Sequence, residues 1–407
     1  MTTENTHKVP NVPPLRFKGY TAEWARMKVS DLLDFYPTNS LSWEQLDYDV
    51  EDIQNLHYGL IHVGLPTLID LSTNQLPGIK PDNMPKHYEL CKEGDVAFAD
   101  ASEDTNEVAK VVELYNLGNK QAVCGLHTIH GRDNHNRTIK GFKGYALSSC
   151  SFHLQIRRLA QGTKIYSIST KNFAESYISI PSKEEQERIV SLLYLIDQRI
   201  ATQNKIIEDL KTLKSAIIEM SYNCAGEMCK IGDLIVQVSK RNKENSYPVL
   251  SVNNQLGFIE QADQFEDRTV ASEDTSNYKV VSTDDFAYNP ARINVGSIAR
   301  LKDREKGIVS PMYVCFHTKT KLLPEYMEYF FDTSYFRHEM YKRLEGSVRL
   351  CLSYEGLCNI SMLLPTIEEQ KKLSNRIFVI EHKIQLESKI LKSYRQQKTY
   401  LLQQMFI

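Results

Sequence analysis

The sequence predicts a mixed α/β protein with two tandem globular domains, each followed by a long helix, the two helices packing as an antiparallel coiled coil. Three observations predict it. A segment near residue 180 recurs 184 residues later. Each copy leads into a heptad-spaced apolar stripe. The regions between mix strand-like runs with helical periodicity. A duplicated unit shapes every later inference, because each feature should then occur twice.

The repeat is legible residue by residue. Gly162-Thr163, Ser169 and Ile178-Ser179-Ile180-Pro181-Ser182-Lys183-Glu184-Glu185-Gln186 are answered by Gly346-Ser347, Ser353 and Ser361-Met362-Leu363-Leu364-Pro365-Thr366-Ile367-Glu368-Glu369-Gln370. Phe152 meets Phe336 at the same offset. Earlier segments match at larger offsets, as loops of unequal length require. Lys28-Val29-Ser30-Asp31-Leu32-Leu33 pairs with Lys230-Ile231-Gly232-Asp233-Leu234-Ile235, and Gly94-Asp95-Val96-Ala97-Phe98 with Asp284-Asp285-Phe286-Ala287-Tyr288.

Pro181 and Pro365 sit where a helix can begin, and the Glu-Glu pairs that follow place carboxylates in its first turn, where the helix dipole favours them. Beyond them run Ile189, Leu193, Ile196, Ile200, Ile207, Leu210 and Ile217, and in the second copy Leu373, Ile377, Ile380, Ile384, Leu391, Tyr394 and Leu401. The polar interruptions coincide, Gln203 with Glu387 and Lys214 with Lys398. Helices of about 40 residues span ~60 Å and cannot bury such a stripe alone. Pseudo-two-fold symmetry between the units makes the antiparallel pairing the expected one.

In the globular part of the second unit, 249–252, 286–288, 296–300 and 309–316 read as strands and 324–344 as a helix. The corresponding helix of the first unit is 145–159. Hydrophobic residues make up 42% and charged residues 25% of the 407, enough for each domain to bury a core. No apolar run reaches the ~18 residues a membrane span needs, so no membrane partner is expected. The polar, proline-bearing residues 1–12 read as a disordered lead-in without a signal-peptide core. The eight cysteines form no Cys-x-x-Cys pair, and no histidine follows Cys224 and Cys229 at zinc spacing. The expectation is reduced thiols, no metal and a cytoplasmic setting.

A formal charge of −2 argues against a protein that grips nucleic acid unaided. Local basic stretches nonetheless occur in both halves. One carries Arg132, Arg137, Lys140 and Lys143; the other carries Asn289, Arg292, Asn294, Ser297, Arg300 and Lys302. Arginine and asparagine can make bidentate contacts to guanine and adenine edges, while lysine mainly holds phosphates. These ten are the candidate DNA-contacting side chains. Enzymatic signatures are missing. Asn289-Pro290-Ala291-Arg292 lacks the second proline and the aromatic of an adenine-methyltransferase motif, no Glu-x-Lys follows Pro81-Asp82 within the next 40 residues, and neither a phosphate-binding loop nor a dinucleotide turn is present. The chain is expected to be non-catalytic alone.

Two divergent domains, each closed by an Ile/Leu-Pro-x-x-Glu-Glu-Gln segment and a long helix, resemble the specificity subunit of type I restriction-modification enzymes over nearly the whole chain. The resemblance implies target-recognition domains at 13–180 and 223–364, with spacer helices at 181–222 and 365–407. It implies a bipartite target on double-stranded DNA, one half-site per domain. Two methyltransferase subunits and the motor-nuclease subunits are the implied partners. S-adenosylmethionine, ATP and magnesium would belong to those partners, leaving no cofactor in this chain.

Overall fold

The computed structural model describes residues 10–222, 226–243, 247–254, 256–261, 274–346 and 349–407. The chain divides into two compact units, one formed by residues 1–204 and 390–407, the other by 205–389. The boundary between these units therefore falls inside both long helices. Most of the expected lead-in lies outside the described residues. Its last part is anchored: Asn11 Nδ2 donates to the Trp24 carbonyl at 2.7 Å, and the Trp24 N–H donates to the Asn11 carbonyl at 2.9 Å.

In the first unit a five-stranded sheet runs in the order Asp34–Tyr36, Thr128–Arg132, Val96–Ala99, Val111–Asn116, Leu68–Asp70. Beside it lies a four-stranded sheet of Gln121–Cys124, Ile53–Leu56, Gly78–Ile79 and Leu46–Asp47. A two-stranded ribbon pairs Ala25–Lys28 with Tyr177–Ile180, so the strand before the first long helix is held by the start of its own domain.

The second unit repeats the central part of this plan. Ile235–Val238, Val314–Thr318 and Phe286–Tyr288 stand in the same order as the first three strands above, and Ile298–Arg300 closes the sheet. Glu227–Lys230 pairs antiparallel with Ser361–Leu364, the counterpart of the first ribbon. The middles differ: here the second sheet is Gly257–Glu260, Val249–Asn253, Lys306–Val309, Lys279–Ser282.

Two kinds of expected element are broken in the structure. The run read as one strand over 309–316 ends at Val309, turns through Ser310-Pro311, and resumes at Val314 in the other sheet. A proline cannot donate to a ladder, which favours the turn. The expected helices over 145–159 and 324–344 are each two helices, Phe142–Leu147 with Cys150–Leu159, and Pro324–Phe331 with Ser334–Tyr341. The breaks fall at equivalent residues. Ser149 Oγ accepts the Phe152 N–H, and Thr333 Oγ1 accepts the Phe336 N–H, each hydroxyl starting a new helix.

The long helices are Lys183–Ser221 and Ile367–Gln404, 39 and 38 residues. Every stripe residue is buried or half-buried, while the positions between are mostly exposed. In the first unit Ile189, Leu193 and Ile196 share a core with Leu401, Met405 and Phe406. In the second, Ile218 and Tyr222 share one with Leu373 and Ile377. The start of each helix thus meets the end of the other, which makes the pairing antiparallel. Gln203 and Glu387 are both buried, each 7% exposed.

Candidate nucleic-acid interface

The repeated Glu-Glu-Gln segment is a joint. Ser182 and Thr366 begin the helices, their hydroxyls accepting the N–H of Glu185 and of Glu369. Just beyond these caps, Gln186 and Gln370 are fully buried. Gln186 Nε2 donates to the carbonyls of Pro181 and Arg137, at 3.0 and 3.2 Å, and Oε1 accepts the Ile139 N–H at 2.8 Å. Gln370 makes the same three bonds at the same offset, to the Pro365 and Lys321 carbonyls at 3.0 Å and from the Leu323 N–H at 2.8 Å. One side chain thereby fixes strand, helix and domain loop to one another.

A second joint lies along the helices. Lys398 pairs with Asp197 at 2.6 Å and lies over the Tyr145 ring, whose hydroxyl donates to Asp197 at 2.9 Å. Its counterpart is Lys214, paired with Glu381 at 2.7 Å and over the Tyr329 ring. Sequence reading found these lysines only as interruptions of the stripe.

The ten candidate DNA-contacting residues divide by burial. Arg132 is 6% exposed and spends its guanidinium on Asp95, Glu89 and the Leu90 carbonyl, with Tyr36 stacked on it at 4.3 Å. Burial opposes charge on Asp95, but hydrogen bonds from His130 and Arg132 outweigh it and hold its pKa below the usual carboxylate value. Burial likewise opposes charge on Arg132, and its two carboxylates reverse the effect. Lys143 is 3% exposed, 3.5 Å from Glu113, whose carboxylate also accepts the N–H of Gly141 and Gly144. Burial pushes the Glu113 pKa up despite those partners. Arg300 is enclosed by Asp284, Glu325 and Glu328. Ser297 is buried, its hydroxyl donating to the Val252 carbonyl. Arg132, Lys143 and Ser297 are buried and Arg300 is half-buried, and all four spend their polar groups on partners within the protein.

The others are accessible to different degrees. Arg137 is exposed on a loop fixed by Asp133, which accepts the Thr138 N–H and hydroxyl and the His135 N–H. Lys140 is exposed but pairs with Glu93 and lies over Tyr115. Lys302 pairs with Glu328. Arg292 precedes the short turn Ile293–Val295 as its cap. Asn294 lines a cleft of about 520 Å³ together with Asn253, Asn254, Asp332 and Arg337. Asn289 is half-buried, its side-chain oxygen accepting the Ala291 N–H.

The two basic stretches are not repeat-equivalent, although their occurrence in both halves suggested it. Residues 130–143 follow the strand Thr128–Arg132, whose counterpart is Val314–Thr318. Residues 289–306 follow Phe286–Tyr288, whose counterpart is Val96–Ala99. A further basic cluster was missed: Lys240, Arg241, Asn242 and Lys243 line a cleft with Tyr247. The Lys-Arg-Asn-Lys run was its signal.

Among the described residues no helix is long and apolar enough to cross a membrane. Residues 115–212 match the model of the type I restriction modification DNA specificity domain. Over 266 residues the chain is 26% identical to the type I restriction enzyme MjaVIII specificity subunit of Methanocaldococcus jannaschii, covering 58% of this chain and 62% of that protein. The match thus spans less than two thirds of the relative's length. The fold is similar to that of the type I restriction-modification S subunit from M. genitalium, with a TM-score of 0.57 at 15% identity over 97% and 99% of the two chains. It is also similar to a chain from a structure concerned with complex assembly and conformational transition of the type I R-M system, with a TM-score of 0.55 at 14% identity over 93% and 96%. Residues 115–212 thus resemble a type I restriction modification DNA specificity domain, and the repeated fold around them is similar to that of a type I restriction-modification S subunit.

Proposed function

We propose that this chain reads a bipartite DNA target for a type I restriction-modification complex, one half-site per recognition domain, and is non-catalytic alone. The observation that carries this reading is the duplication itself: the repeated ribbons, glutamine joints and helix ion pairs support two separate, divergent sheet systems. A reader of two different half-sites needs constant framework and variable surface. Two methyltransferase subunits would supply S-adenosylmethionine chemistry, and motor-nuclease subunits would supply ATP- and magnesium-dependent restriction. The near-neutral charge fits a reader that depends on partners for part of its phosphate contacts.

Methylome sequencing of a host with and without the gene tests the reading. Loss of one bipartite adenine motif is expected on deletion, and an unchanged methylome in a host where the partner subunits are expressed overturns it. Within the complex, Arg292→Ala with Asn294→Ala is expected to relax only the half-site read by the second domain, at ~1–3 kcal/mol for each bidentate base pairing removed. Equal weakening at both half-sites, with folding intact, assigns these side chains to phosphate or partner binding.

A further inference from the structure

We propose that Cys91, Cys124 and His130 form a binding site for one zinc(II) ion inside the first unit. No cysteine spacing announces it, because the three residues come from separate segments. Cys124 ends the strand Gln121–Cys124 of the four-stranded sheet, and His130 lies in Thr128–Arg132 of the five-stranded sheet. Cys91 is docked on the first of these strands, its N–H donating to the Ala122 carbonyl at 2.8 Å. The three side chains are 5%, 2% and 0% exposed, and each offers a ligand atom within 4.8 Å of the other two.

The distances suit a thiophilic cation. The two sulfurs are 3.7 Å apart. Zinc–sulfur bonds of ~2.3 Å at the tetrahedral angle would set them ~3.8 Å apart. A disulfide would need about 2.05 Å, so the pair stands at ligand separation and not at bonding separation.

The histidine supplies an independent observation. Its Nε2 lies 2.7 Å from Asp95 Oδ2, and its buried Nδ1 has no hydrogen-bond partner. An ionised carboxylate only accepts, so Nε2 carries a proton, and in the neutral ring Nδ1 then presents a lone pair. An unsatisfied buried acceptor is costly unless something binds it. A carboxylate behind a histidine whose other nitrogen is free is the outer-shell arrangement of metal-binding histidines. Arg132, bonded to the same Asp95, balances that carboxylate's charge.

Binding breaks two S–H bonds, releases two protons to solvent, and forms two Zn–S bonds and one Zn–N bond. Two thiolates then neutralise the ion, which suits a buried position. No fourth protein ligand is present among the described residues, leaving that position to a water. The ion would tie the two sheets of the first unit together. The second unit shows no equivalent among the described residues, because Cys315 stands in the strand that corresponds to that of His130 without a neighbouring thiol pair, so one ion per chain is expected.

The test uses the full chain, purified reduced and stripped with a chelator, then titrated with cobalt(II) chloride. Uptake of one equivalent with a near-ultraviolet thiolate-to-cobalt charge-transfer band, displaced by zinc chloride, is the expected result. Cys91→Ser and Cys124→Ser should each weaken cobalt binding at least a hundredfold, while Cys358→Ser retains it. The unsubstituted chain alone can overturn the proposal, whatever the variants' folding. No charge-transfer band, or a Cys91–Cys124 disulfide in the reduced preparation, removes the site. A band of full intensity in the Cys91→Ser, Cys124→Ser double variant does the same.

Discussion

Gln186 and Gln370 show why a single residue type recurs at one offset. Each satisfies two carbonyls and one N–H at the joint between strand, helix and domain loop. Gln186→Ala is expected to cost about 3 kcal/mol by urea unfolding, since one unsatisfied buried group costs about 1–3 kcal/mol. A cost below ~1 kcal/mol would mean that water replaces the side chain. Gln370→Ala should cost a similar amount, with hydrogen exchange rising in the second unit first. The basic candidates show the limit of reading single residues. Charge nominates Arg132 and Arg292 equally, but the partners of Arg132 lie on other segments, and only the fold reveals them. Arg132→Met leaves Asp95 a buried, under-compensated charge and should destabilise by ~3–5 kcal/mol. Arg292→Ala, on a surface turn, should change stability by no more than ~0.5 kcal/mol. Equal stability effects in the two variants would show that burial does not separate fastener from surface.

Elements are legible where their pattern is long. The seam from Ile189 to Leu210, and from Leu373 to Leu401, lies as the heptad spacing places it, because many turns vote for one face. Short elements escape where one local residue outvotes periodicity. Ser149 and Thr333 cut helices whose apolar spacing continues across the break, and Pro311 divides an apolar run between two sheets. The ion pairs Asp197–Lys398 and Glu381–Lys214 are not legible at all, since the antiparallel register that joins them is set by packing. Their equivalence is testable by double-mutant cycles. Asp197→Ala with Lys398→Met, and Glu381→Ala with Lys214→Met, should each give a coupling energy of ~0.5–3 kcal/mol, the range for contacting residues. The first should be the larger, because the Tyr145 hydroxyl also holds Asp197 and its pair is more buried, 18% and 19% exposed against 29% and 24%. A coupling near zero at both pairs would leave alignment of the helices to the apolar seam alone.

For the whole molecule, each core is completed by a helix end from the other half of the chain. Leu401, Met405 and Phe406 fill the core of the first unit, with Phe406 edge-on to Trp24 at 6.2 Å and against Phe142 at 6.0 Å. A fragment of residues 1–222 lacks this closure but carries its repeat equivalents, since Ile217, Ser221 and Tyr222 precede Leu401, Met405 and Phe406 by 184 residues. Two copies of the fragment can therefore complete one another, each offering its helix end to its partner's core. The fit is imperfect in a predictable way. Serine in place of Met405 leaves unfilled volume, and the Tyr222 hydroxyl, which donates to the Tyr326 carbonyl in the intact chain, enters a site built for phenylalanine. The fragment should thus form a homodimer that dissociates on dilution, visible by sedimentation. Ser221→Met with Tyr222→Phe should tighten it at least tenfold, about 1.4 kcal/mol, by restoring the side chains that close this core in the full chain. With methyltransferase subunits the dimer should modify a palindrome of the first half-site. A folded fragment that stays monomeric at high concentration, with or without the two substitutions, would show that the helix ends are not interchangeable and that the second half of the chain is needed for the first to close.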